Sequence, residues 1–382
     1  MQLILFLFLS TLLFGNIADI PSDEVIKVKG KFAPNKKCIR CHLDIYIEFK
    51  HSKHRHSNIL NNAAHKAMWD GNPLSKEQKY VCATCHAPAA EDIEGLINGT
   101  AVAQEGDKSI DDGVSCAMCH RIADIHPTEK GDKYIVSDKK RVYYGTRESK
   151  QRSDYHKIKT DNPIFKNGDV CLTCHTQHKK QKLLIQKKSG EKYCVFSPVD
   201  ENITKISQNT KEENCITCHM PQVRGSLTDR FDTPTHAYHG FSALSKKIKD
   251  AKKYIDLNLT KHSDSFEIII HNKITHDIIL HPTRLFKLKI YLNDKVVKTV
   301  EFQKESQDRD AKPLAWLKDE IKYKNNILAK SKKSVKVDIV LKDEDKVRAV
   351  LGYHVMKPEL AKKIGLKDKK STEFKILIDE RF

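Results

Sequence analysis

"DDGVSCAMCHRI", residues 111–122, places two cysteines three positions apart with a histidine directly behind the second. The pentad Cys-x-x-Cys-His recurs at Cys38–His42, Cys82–His86, Cys116–His120, Cys171–His175 and Cys215–His219, so ten of the eleven cysteines serve one motif. Composition alone predicts about 0.02 such pentads in a chain of this length, so the repeat is chemistry and not chance.

Three chemistries use paired cysteines. A disulfide within C-x-x-C closes a tiny loop and constrains the unfolded chain little. Zinc takes C-x-x-C as half of a four-ligand site, but an odd number of pairs leaves one incomplete and gives the following histidine no role. Covalent haem c explains every position, because the thiols form thioethers to the porphyrin and the adjacent histidine reaches the iron. The reading is five covalently bound haem c groups. Their thioethers are at Cys38, Cys41, Cys82, Cys85, Cys116, Cys119, Cys171, Cys174, Cys215 and Cys218, and their proximal iron ligands are His42, His86, His120, His175 and His219.

The N-terminus fits export. Leu3–Phe14 is an unbroken run of mostly apolar residues, too short for a comfortable membrane span and suited to a signal-peptide core, with Gly15 and Ala18 behind it. A signal peptide over 1–18 and a periplasmic chain are expected, with an uncleaved anchor as the alternative. No later segment is apolar enough to cross a bilayer, so no transmembrane segment remains after cleavage.

The formal net charge is +18, from 68 basic and 50 acidic residues. Ten haem propionates would bring up to about −10 and leave about +8, so much of the lysine reads as solvated surface and counter-charge. No nucleic acid is expected as a partner.

The pattern changes near residue 245. Over 19–245 the five motifs stand among Gly, Asn, Asp and Pro punctuation, which reads as short helices and loops with few strands. Beyond the charged connector 245–253, period-two alternation marks strands at 266–272, 285–292, 297–302, 335–341, 347–355 and 374–379, with a turn at 293–295 and a helix at 358–366. The expected architecture is an α-helical and loop multihaem cytochrome c core over 19–245. An all-β domain over 255–382, an immunoglobulin-like sandwich, follows it.

Methionine is scarce, and only Met68 and Met356 stand clear of the leader and the motifs, so histidine is the expected sixth iron ligand. His51, His56, His65, His126 and His178 are weaker candidates for that role. His262, His271, His281 and His354 read as strand or surface residues, and Cys194 as a small buried residue.

The segment "CIRCHLDIYIEFKHSKH" (38–54) resembles the opening of multihaem cytochromes of the c-552/4 type, related to hydroxylamine oxidoreductase and its tetrahaem electron-acceptor cytochrome. "CATCHAPAA" (82–90), "GVSCAMCH" (113–120), "CITCHMP" (215–221), "RVYYG" with "DYH" (141–156) and "NKITHDIILHPTRLFKLKI" (272–290) are similar to that group's segments in the same order. Phe49 departs from the group's usual Trp. The resemblance implies distal iron ligands at His54, His156 and His276, with His236 or His239 of "THAYHGF" for another haem.

Electron transfer between redox-partner proteins is the first functional reading, a membrane quinol-oxidising cytochrome being one candidate partner. The second is an oxidoreductase acting on a small nitrogen or sulfur compound at one open haem, for which Arg121, Tyr143, Tyr144 and Arg230 are available by type. A binding or assembly role for the β region is compatible with the first reading.

Overall fold

The computed structural model describes residues 32–126, 133–147, 155–175, 214–230, 233–241, 251–279, 283–306 and 321–382. The leader expected at 1–18, His178, Cys194 and His281 lie outside them. Among the described residues, no helix is long and apolar enough to cross a membrane.

In the first part the chain folds as short helices and two-stranded sheets. Helices span Ala83–His86, Cys116–His120, Leu172–His175 and Cys215–His219, all over the haem motifs. The motif itself sets this length. One helical turn brings residues i, i+3 and i+4 to one face, which carries both thiols and the imidazole to the same side. Caps fix where the turns begin. The Ser115 hydroxyl accepts the Met118 N–H, and Asn214 forms a capping box with Thr217. The longest described helix before residue 245, Ala63–Asp70, has eight residues.

Six short strands join these helices. They are β1 Ile122–His126, β2 Lys133–Val136, β3 Val142–Tyr144, β4 Lys157–Lys159, β5 Gln222–Arg224 and β6 Thr235–Ala237. Pairs β1–β2 and β5–β6 are antiparallel, and β3–β4 is parallel. Neighbouring motifs are also tied directly. The Asn35 N–H donates to Asp112, and the Asn35 side-chain oxygen accepts the Cys116 N–H.

The second part holds β7 Ile255–Lys261, β8 Phe266–Asn272, β9 Leu285–Leu292, β10 Lys295–Ser306, β11 Ile321–Lys324, β12 Ser331–Val337, β13 Val347–His354 and β14 Lys375–Arg381. They form two antiparallel sheets, in the orders β11-β10-β9-β13-β14 and β12-β8-β7. One apolar cluster joins both sheets, with Phe266, Ile268 and Ile270 of β8 against Leu288 and Ile290 of β9, Phe302 of β10 and Leu351 of β13. Burial along β8 alternates strictly, as period-two side chains dictate. Asn293 and Asp294 both take positive φ (48° and 65°), the two-residue turn that matches the twist of β9 and β10.

Strands β8 and β9 lie where alternation predicts them, while β7 and β11 are additional. β12 starts four residues before its expected position and ends at Val337. Its ladder with β8 runs from Ser331 opposite Asn272 to Val337 opposite Phe266, so backbone pairing carries the polar Lys332 and Lys333 into the strand. The helix is shorter than the expected 358–366, spanning Pro358–Lys363 before Gly365 at φ +68°.

Candidate functional site

A cavity of about 2770 Å³ runs through the first part and reaches the β region. It far exceeds the roughly 300–1,000 Å³ of an ordinary small-molecule pocket. Every motif cysteine and histidine except Cys82 lines it, among them His42, His86, His120, His175 and His219. The ten motif cysteines are free of disulfide bonds.

Four motif histidines each face another imidazole across this cavity. Ring centres are 6.2 Å apart for His42 and His156, 6.1 Å for His120 and His239, 6.2 Å for His219 and His276, and 5.9 Å for His175 and His54. These separations exceed those of face-to-face stacking. Two metal–nitrogen bonds of about 2 Å and two ring-centre-to-nitrogen distances of about 1.1 Å add to about 6.2 Å when two imidazoles share one metal. The first three pairs are near parallel, at 24°, 25° and 15°, and the fourth is turned by 66°. No group of three or more His, Cys, Asp or Glu side chains that would hold a metal ion occurs among the described residues. Haem needs none, since the porphyrin supplies four ligands.

The backbone fixes which ring nitrogen faces inward. Nδ1 of His42 donates to the Leu227 carbonyl at 2.7 Å, His120 to Tyr144 at 2.7 Å, His239 to Ala237 at 2.6 Å and His276 to Asp277 at 2.8 Å. A carbonyl only accepts, so each Nδ1 carries the proton and each Nε2 keeps its lone pair for a metal. Burial disfavours charge on several imidazoles of the cavity. It lowers His54 to about 3 and His175 and His239 to about 4, with neighbouring histidines adding to the effect. It also presses His120, His156, His219 and His276 below the usual histidine value.

Local folding explains each facing ring. His156 stands just before β4, whose parallel register sets Lys157 opposite Val142. Tyr144, the acceptor for His120, ends β3. His239 leaves β6, and its N–H donates to the buried Glu48 at 2.9 Å. His236 lies on β6 with its Nε2 3.2 Å from the other Glu48 oxygen, so the structure sets His239 opposite His120 and His236 against a carboxylate. The buried Asn272 side chain donates to the His276 carbonyl at 3.0 Å, which explains the Asn four residues before that histidine. Gly113, at φ +59°, lets "GVSC" pass beside His54, since a Cβ there would stand 2.5 Å from the His54 carbonyl oxygen. Phe241 packs edge-on to His54 at 4.2 Å and lies 5.9 Å from His239.

His86 differs. Its Nδ1 donates to the Ser57 carbonyl, and so does that of His65, whose ring centre is 4.1 Å away. That spacing leaves no room for a metal between those two rings, so His65 is a neighbour on the carbonyl side. His51 and the candidate Met68 and Met356 also line the cavity, whereas His56 Nε2 donates to the Lys50 carbonyl and His126 is exposed on β1. His262 and His271 lie near carboxylates in the β region, and His354 bonds the Thr372 carbonyl.

Of the side chains available for small-molecule chemistry, Arg121 is buried, bonds the Ser137 carbonyl and stacks on Phe32. Tyr143 lies 5.4 Å from His156. Arg230 is exposed and covers the Tyr155 ring at 4.7 Å. The motif cysteines meet in pairs: Cys38 with Cys116, Cys85 with Cys174, and Cys171 with Cys215.

Residues 37–121 match the family model described as cytochrome c554 and c-prime. The fold is similar to that of a penta-heme cytochrome c552 from Thermochromatium tepidum, with TM-score 0.67 and 18% identity, covering 92% of this chain and 98% of that one. Comparison with curated proteins gives no match. In its repeated attachment motif, its cavity of facing imidazoles and its fold, the chain is similar to multihaem c-type cytochromes of the c552/c554 type, and covalently bound haem c fits its five motifs.

Proposed function

We propose that this protein passes electrons between redox-partner proteins through five closely spaced haem c groups, at least four of them held between two histidines. The observation that carries this reading is the set of four imidazole pairs at 5.9–6.2 Å. On this reading, His156, His239, His54 and His276 are the distal ligands opposite His42, His120, His175 and His219. A six-coordinate iron changes oxidation state with little ligand rearrangement and offers no open position to a substrate. His236 then serves Glu48 and not iron.

The cysteine contacts support an order of haems in space. Motif Cys38–His42 adjoins Cys116–His120, and motif Cys171–His175 adjoins both Cys82–His86 and Cys215–His219. Cys119 acts on Cys171, and Cys174 acts on Cys119, which links the two groups and makes Cys171–His175 the hub. We read the second part, 255–382, as an immunoglobulin-like sandwich docked on the haem core of 19–245 through His276. The leader 1–18 directs the chain to the periplasm, where a membrane quinol-oxidising cytochrome is a suitable partner.

Mass spectrometry of the denatured mature protein should show five haems retained on the chain, since thioethers survive unfolding. Reductive titration should then take up five electrons per chain with a low-spin spectrum for most of the haem in both states. Bound zinc, acid-extractable haem, or fewer than five electrons would overturn the reading.

A further inference from the structure

The stretch 238–241 is held from several sides. The Tyr238 N–H donates to the Pro221 carbonyl at 2.9 Å, and the His239 N–H to Glu48 at 2.9 Å. Tyr238 is buried, and its hydroxyl folds back over Gly240, where a Cβ would stand 2.0 Å from it. The chain then turns at Phe241, which takes φ +55°. A bulky side chain rarely adopts that left-handed backbone, and such outliers persist where the surroundings over-determine them, often at functional sites.

Phe241 lines the cavity. Its ring centre is 4.2 Å from that of His54, with the planes at 75°, closer than the roughly 4.5–7 Å of ordinary aromatic pairs. It is 5.9 Å from the His239 ring, at 77°. His54 depends on such a neighbour. Its carbonyl accepts the Val114 N–H at 3.0 Å, so its backbone is pinned. Its ring is not pinned in that way. The His239 and His276 rings are each locked by an Nδ1–carbonyl hydrogen bond, whereas among the described residues no hydrogen bond holds the His54 ring. A metal–nitrogen bond leaves an imidazole free to turn about that bond, and histidine χ2 is broad. Packing therefore fixes the plane. His54 is also the ring that stands at 66° to its partner, while the other three pairs are tilted by 25° or less.

We propose that the Phe241 ring sets the plane of His54, and so gives the hub haem at Cys171 and Cys174 a rotated pair of axial ligands unlike those of its neighbours. Phe241 is a positioning residue, since it touches the ligand and not the iron. Packing against an axial ligand from outside the iron's own ligand set is a way to orient that ligand. The proposal rests on the reading that His54 and His175 share an iron.

Low-temperature electron paramagnetic resonance of the oxidised holoprotein tests it. Phe241→Gly removes the ring and suits the positive φ, so the turn is kept. Phe241→Tyr keeps the ring. In Phe241→Gly the strongly anisotropic low-spin signal should lose one haem's share, and the near-parallel type should gain it. Phe241→Tyr should keep the wild-type spectrum. A merely structural role would change stability and leave the type of signal alone. An unchanged strongly anisotropic signal in Phe241→Gly overturns the proposal, and so does its loss in both variants. A new high-spin signal in Phe241→Gly overturns it too, because Phe241 would then hold His54 on the iron and not set its plane. Failure of the axial reading shows elsewhere, as an unchanged low-spin spectrum when His54 is replaced.

Discussion

Replacing His276 with Ala should convert the haem attached at Cys215 and Cys218 from low-spin to high-spin and let it bind carbon monoxide. The His276 ring faces His219 at 6.2 Å with a 15° tilt, and its protonated Nδ1 is spent on the Asp277 carbonyl. Removing the ring takes a strong-field nitrogen from one side of that iron and leaves space for a small ligand. The loop itself should survive. Asn272 holds the residue 276 carbonyl, and Asp277 accepts the Ala329 N–H and an Asn326 N–H, both at 2.9 Å. The other haems should keep their spectra, since His54, His156 and His239 face different proximal rings. Visible spectra of the oxidised variant, and of the reduced variant under carbon monoxide, check this. A wholly low-spin variant would mean that the β region gives no ligand to the core.

Phe266→Ala should cost about 3–5 kcal/mol, the usual range for emptying a buried aromatic site. Phe266 has 0% exposure and opens β8, where it packs in the cluster shared by both sheets. Its neighbours Ile268, Leu288 and Phe302 come from three strands whose backbones are fixed by ladders, so the cavity cannot collapse easily. Against a domain stability of about 5–15 kcal/mol that loss is large. Denaturant unfolding followed by far-ultraviolet circular dichroism should show the β signal lost at lower denaturant, while mass spectrometry still finds every haem attached. A cost below about 1 kcal/mol would place Phe266 outside the shared core.

Sequence and structure meet unevenly in this molecule. The motifs are legible because thioether and proximal chemistry is local: both thiols and the imidazole lie within one helical turn. Strands β8 and β9 are legible because their alternation is strict and apolar. β12 is displaced because its pairing with β8 outweighs its polar composition. The facing imidazoles are another matter. His156 meets His42 from more than a hundred residues away, through a parallel β3–β4 pair that no periodicity announces. In "THAYHG" two histidines three residues apart look equivalent. Glu48, distant in sequence, separates them by taking the His239 N–H and the His236 ring.

The low-temperature electron paramagnetic resonance spectrum of the fully oxidised wild-type protein tests the central claim most directly. Near-parallel imidazole planes split the iron d orbitals that point between ligands, while strongly rotated planes leave them almost degenerate. Integrated intensity should therefore show at least four low-spin ferric haems per chain. Three should be of the near-parallel type, from His42/His156, His120/His239 and His219/His276, and one strongly anisotropic, from His175/His54 at 66°. Two or more high-spin haems in the wild type would contradict the account, because at least one of the four imidazole pairs would then hold no iron between its rings.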